Sequence, residues 1–165
     1  MARKSKGFRE LIAQENLKKR NKESFERLKN TMIENGLGEP GMTFDENPEG
    51  YEKTSEVLIE FVKPFLDKVN THQRREALFR LAIISWNIAI VPENERQKML
   101  EMTIKKFCNK HDPEFTKDTR ILIEELIERK LTLFADYNRL ITGFELDDRS
   151  DSFHISVASV IPKPK

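Results

Sequence analysis

Cys108-x-x-His111 places a thiol and an imidazole at a spacing from which two side chains could share a metal or a proton. A structural zinc site asks for four ligands, usually two such pairs. Cys108 is the single cysteine, and the other histidines, His72 and His154, stand alone. Cys108 also falls on an apolar helical stripe with Leu100 and Ile104, so we expect a buried core thiol rather than a reactive thiolate. His72 and Glu76 are one helical turn apart, but no H-E-x-x-H pattern accompanies them. Glu124, Glu125 and Glu128 are followed by Arg129 and Lys130 at ion-pairing distance along a helix, which predicts a solvated, charge-paired face.

Two further patterns imitate ligand loops. Gly36-Leu37-Gly38-Glu39-Pro40-Gly41 matches the dinucleotide fingerprint in letters. That fingerprint needs a strand before it and a helix opening at its end; here a helix precedes it and acidic residues follow. Asp147-Asp148-Arg149-Ser150-Asp151 is acidic, but lacks the glycine and distal glutamate of a calcium loop. We therefore expect no metal, no cofactor and no catalytic set.

Charge carries more functional information. The chain has 165 residues, 38% hydrophobic and 35% charged, with a net charge of +1. The near-zero total hides an uneven layout. Residues 1–30 hold ten Lys/Arg against four Asp/Glu, and residues 34–60 hold eight Asp/Glu against one Lys. Arg3, Lys4, Lys6 and Arg9 form one basic group, and Lys18, Lys19, Arg20 and Lys22 a second. Such a row could neutralise phosphates with steep salt dependence, although nothing beside it would read bases. Three functions compete: a non-catalytic interaction or assembly module, a nucleic-acid-associated protein acting through that arm, and an enzyme assembled from scattered polar groups such as His72, Asn87, Arg139 and His154. The first is favoured, with a protein partner or self-association through the arm or a hairpin edge. A membrane is not expected as a partner. One cysteine and the absence of an apolar leader pattern point to a cytoplasmic protein.

The elements that must position these groups follow from hydrophobic period. Phe8, Leu11, Ile12, Phe25, Leu28 and Met32 mark a long helix over 8–34 with a discontinuous apolar side. Val57, Leu58, Phe61, Val62, Phe65 and Leu66 recur at i, i+3, i+4, i+7, i+8, with Thr54 or Ser55 as cap and Pro64 as a kink on the polar side. Leu81–Val91 is apolar apart from Ser85 and Asn87, which predicts an enclosed central helix with Trp86 as its largest packing unit. Asn87 is expected to be buried and to bond backbone groups at the corner before Pro92. Helices over Pro92–Asn109 and from Asp112-Pro113-Glu114 onward complete the set. The period then changes to two in 139–146 and 152–161, giving a hairpin.

The fold expected is mainly α: a bundle of about five helices with a C-terminal β-hairpin packed against it. The expected organisation is a basic helical arm (1–35), an acidic Gly/Pro-rich connector (36–53) and a globular part (54–165).

Overall fold

A computed structural model describes residues 6–34, 52–108, 112–148 and 152–161, with only the backbone of Lys6, Phe8 and Arg9. The described residues form five helices and an antiparallel two-stranded hairpin, against which α1 packs. The helices are α1 (Lys6–Glu34), α2 (Thr54–Leu66), α3 (His72–Ile90), α4 (Glu93–Cys108) and α5 (Pro113–Leu133); the strands are β1 (Leu140–Asp147) and β2 (His154–Val160). Contacts divide the chain into two compact units, Met1–Tyr51 with Thr142–Ala158 and Glu52–Ile141 with Ser159–Lys165. The acidic connector and the glycine-rich match within it lie outside the described residues, apart from Glu52 and Lys53.

In the larger unit α3 is the axis, touching α2, α4 and α5. No residue from Leu81 to Ile90 is exposed, as its all-round apolarity predicts. Thr71 caps α3 by accepting a bond from the Arg74 amide at 3.2 Å, and Ser85 Oγ donates to the Leu81 carbonyl at 2.8 Å. The helix stops at Val91, whose ψ of 146° is the extended conformation that a following proline imposes. Pro92 thus precedes α4 and is not its first residue. Asp112 caps α5 through the Phe115 amide at 2.8 Å, with Pro113 in the first turn.

α2 departs from expectation at its start. Lys53 occupies the cap position without a side-chain bond, and Thr54 lies inside the helix, its hydroxyl 3.0 Å from that of Ser159. The hydroxyl expected to cap the helix is engaged by β2 instead. Pro64 is exposed within the helix and has no N–H to offer the Glu60 carbonyl. Arg129 of α5 supplies a donor to that carbonyl and a second to its neighbour. Its Nη2 donates to the Glu60 carbonyl at 3.3 Å and its Nε to the Phe61 carbonyl at 2.9 Å.

In the smaller unit α1 lies along the hairpin, antiparallel to β1. Arg20 pairs with Asp147 at 3.2 Å, Ser24 Oγ donates to Ser156 Oγ at 2.9 Å, and Arg27 pairs with Glu145 at 2.8 Å. A Cβ on Gly143 would stand 3.2 Å from Leu28 Cδ1, so a larger residue there would oblige that leucine to give by a few tenths of an ångström. The repeats are commensurate. From Arg20 to Leu28 a helix advances about 12 Å, and from Asp147 back to Gly143 a strand covers about 13 Å. Each turn of α1 therefore meets the next outward pair on the strand.

Candidate functional site

The basic arm is the main candidate from sequence, and its members separate in the structure. Lys18, Lys19 and Lys22 are exposed on α1. Arg20 is half-buried and belongs to the α1–hairpin contact, opposite an Asp147 that is 4% exposed. Its guanidinium therefore takes part in holding α1 to the hairpin. Arg3 and Lys4 lie outside the described residues, as do the side chains of Lys6 and Arg9. Asp147 leaves the expected acidic loop in the same way: it belongs to β1, while residues 149–151 of that loop lie outside the described residues.

Along the first half of α1 the apolar side chains have little cover. Leu11 is 59% exposed, Ile12 42% and Leu17 51%. Leu11 and Ile12 are neighbours on the helix surface, whereas Leu17 lies on another side of it.

The polar groups that could have formed a catalytic set are tied to architecture. Trp86 Nε1 donates to the Arg139 carbonyl at 2.8 Å. Asn87 Nδ2 donates to the Ile141 carbonyl at 2.8 Å, and the Ile141 amide donates to Asn87 Oδ1 at 3.0 Å. Carbonyls two residues apart along extended chain face the same edge, so consecutive side chains of α3 hold successive outward carbonyls where the chain enters β1. Asn87 is half-buried and serves the strand, not the α3–α4 corner expected of it. That corner is served by Arg96, whose Nε donates to the Val91 carbonyl at 2.9 Å.

His72 stands 3.9 Å from Glu76, which Arg80 engages at 2.6 Å. His154 Nε2 is 3.5 Å from Ser156 Oγ, at the end of the row that begins at the buried Ser24. Cys108 is buried with Leu100, Ile104 and Ile123. His111 lies outside the described residues, and among the described ones no three His, Cys, Asp or Glu gather as a metal site. No family model, curated protein or solved structure matches the chain.

Electrostatics single out two places. On the surface Arg120 clasps Glu101 with both nitrogens, at 2.9 and 2.7 Å, joining α4 to α5. These bonds hold the Glu101 carboxyl below its usual range and raise Arg120. Beside the clasp is an open groove of about 510 Å³ between α4 and α5, lined by Leu100, Ile127 and Leu131 with Arg96, Glu124 and Glu128 at its rim.

The second place is the core. Lys130 is 2% exposed, its ammonium 4.5 Å from the centre of the Trp86 ring and donating to the Phe134 carbonyl at 2.7 Å. Phe61 meets Trp86 and Phe134 edge-on, with ring centres 5.2 and 5.4 Å away. Burial pushes Lys130 below the ordinary lysine range. The solvated face expected for Lys130 and Arg129, beside the glutamates before them, is corrected. The structure puts Lys130 under Trp86 and Arg129 on the carbonyls around Pro64. A signal for this exists in the sequence: position 130 continues the buried stripe of Thr119, Ile123 and Leu126 at helical spacing.

Among the described residues, no helix is long and apolar enough to cross a membrane.

Proposed function

We propose that the chain is a non-catalytic assembly module whose contact element is the first half of α1. The observation that carries this reading is the exposure of Leu11, Ile12 and Leu17 on one helix. It is supported by the engagement of Trp86, Asn87, Arg20 and Ser24 in bonds that hold elements together. Apolar side chains on a helix gain by association with another apolar surface, and charges beside them set orientation.

The test is sedimentation equilibrium of the full chain against a Leu11→Glu, Ile12→Glu double variant. We expect the wild type to associate with rising concentration and the variant to stay monomeric with unchanged helical circular dichroism. A wild type that remains monomeric at all accessible concentrations overturns self-assembly as the role of this surface.

A second reading rests on the exposure of Lys18, Lys19 and Lys22. In it the arm binds a polyanion, with affinity falling linearly in log salt. Changing the three lysines to glutamine should reduce the magnitude of that slope by about 3 for double-stranded DNA. A slope unchanged by the triple variant removes the reading. Arg20 and Arg27, held by Asp147 and Glu145, leave the arm less positive toward a partner than its composition suggests.

A further inference from the structure

We propose that the groove between α4 and α5 docks an amphipathic helix of a partner protein. That helix carries lysine or arginine four residues apart on one side of an apolar stripe and an acidic residue on the other. The site lies within the larger unit and involves neither α1 nor the hairpin, so it stands apart from the assembly reading.

The apolar lining of the groove is Leu100, Ile127 and Leu131, the last of them 40% exposed. The polar side chains around it decide what can lie there, because several are already engaged. Gln97 Nε2 donates to Glu101 at 2.9 Å, Thr132 Oγ1 donates to the Glu128 carbonyl at 2.8 Å, and Arg120 is spent on Glu101. What remains is charge. Glu128 is exposed, and among the described residues its carboxylate has no ion pair or hydrogen bond. Glu124 reaches Arg120 only at 3.7 Å. Arg96 uses its Nε on the Val91 carbonyl, and among the described residues both its Nη groups stay unengaged. The α5 wall thus offers two carboxylates and the α4 wall one guanidinium.

These features select the occupant. α4 and α5 bond their backbone groups within themselves, so an extended peptide would find no backbone partner between them. A helix arrives with its own backbone satisfied and lays its side chains between those of two others. A fatty acid would answer Arg96 alone and bring its carboxylate up to two more. Glu124 and Glu128 are four residues apart, about 6 Å along α5. A helix lying along α5 meets both when its own basic residues share that spacing. An acid on its other flank then meets Arg96, and the apolar stripe between covers Leu131.

The decisive experiment uses two synthetic helical peptides with leucines at i, i+3, i+4 and i+7. One carries lysines four apart on one flank and a glutamate on the other; the second has the two charge types exchanged. Each is titrated into the isotope-labelled full chain and followed by nuclear magnetic resonance. We expect the lysine peptide to shift the signals of Leu100, Ile127 and Leu131. The exchanged peptide should bind about tenfold more weakly, because two exposed attractions become repulsions, and the gap should narrow in high salt. Equal affinity for the two peptides means apolar adhesion alone and overturns the proposal. So does a lysine peptide that leaves those three residues unshifted.

Variants of the chain supply the reciprocal test. Glu124→Lys with Glu128→Lys changes two exposed positions and should reverse the preference between the peptides while the helical circular dichroism is unchanged. Should that variant fold poorly, Glu128→Gln removes a carboxylate that has no partner among the described residues, and it should weaken the lysine peptide alone, by about threefold. Leu131→Asp, also at an exposed position, should weaken both peptides together. A preference that survives the reversal of both glutamates, or the loss of Glu128 without effect on the lysine peptide, overturns the proposal. The assembly reading is untouched by either result, since sedimentation of the Leu11→Glu, Ile12→Glu variant decides it separately.

Discussion

Replacing Asn87 with leucine should destabilise the protein by about 3 kcal/mol, although it makes a half-buried position more apolar. The reason lies in Ile141, which is 3% exposed and has both its backbone groups bonded to the Asn87 amide. Leucine resembles asparagine in size and offers neither donor nor acceptor. An N–H and a C=O are then left without partners where water has little access, and each such group costs about 1–3 kcal/mol. Denaturation in urea, with the slope unchanged, measures the loss. Exchange of the Ile141 amide with solvent locates it, since that amide should become one of the fastest in β1. A loss below about 1 kcal/mol would mean that the bonds to Ile141 are replaced by water at little cost. Asn87→Asp separates the two halves of the pair: the acceptor for the Ile141 amide survives, and the donor to its carbonyl becomes a repelling oxygen.

Asn87 also marks the boundary of what the sequence could disclose. Its setting in the greasiest helix announces a polar side chain with a structural task, and Pro92 five residues later suggests a helix corner as the place. The true partner is in a strand 54 residues onward. Local patterns determine which face of an element is apolar, because period and burial are coupled within the element. They carry no information about which backbone group from a distant element will arrive beside a given amide. The helices and the hairpin are legible for the first reason: the stripe of Val57, Leu58, Phe61, Val62 and Phe65 is the buried face of α2. The β-forming runs at 139–146 and 152–161 likewise coincide with the two strands to within a residue or two at each end.

The arm shows the same limit from the functional side. Ten cations in thirty residues suggest a polyanion surface as long as their carboxylate partners are sought nearby. Those of Arg20 and Arg27 are Asp147 and Glu145, near the opposite end of the chain. Commensurate spacing of helix and strand explains the match afterwards; in the sequence, acids within a β-forming run near the C-terminus look like a turn and a solvated edge. Lys130 is the converse case. Its position on the stripe of α5 points inward, and its chemistry argues for the surface. The stem can lie against apolar neighbours, but the ammonium needs an electron-rich face and an acceptor. Trp86 and the Phe134 carbonyl provide both.

Lys130→Ala is therefore expected to cost about 4 kcal/mol. Truncation removes the stem from the aromatic cluster of Phe61, Trp86 and Phe134, leaves the Phe134 carbonyl without its side-chain donor and deletes the cation above the indole. Lys130→Met separates volume from charge, because it keeps a long flexible stem and removes the ammonium. The two variants should also differ from wild type in their response to base. Burial lowers the Lys130 pKa in the folded protein, so between that value and the unfolded one, near ~10.4, the unfolded chain holds a proton that the native state has released. Stability must then rise with pH across that window. The unfavourable contribution is fully present at lower pH, where the buried amine is charged, and vanishes above the unfolded value. Urea midpoints followed from neutral pH into the alkaline range should climb in the wild type, while Lys130→Met shows no such climb. A wild-type curve that is flat or descending below the ordinary lysine pKa would place the Lys130 ammonium in water, away from Trp86.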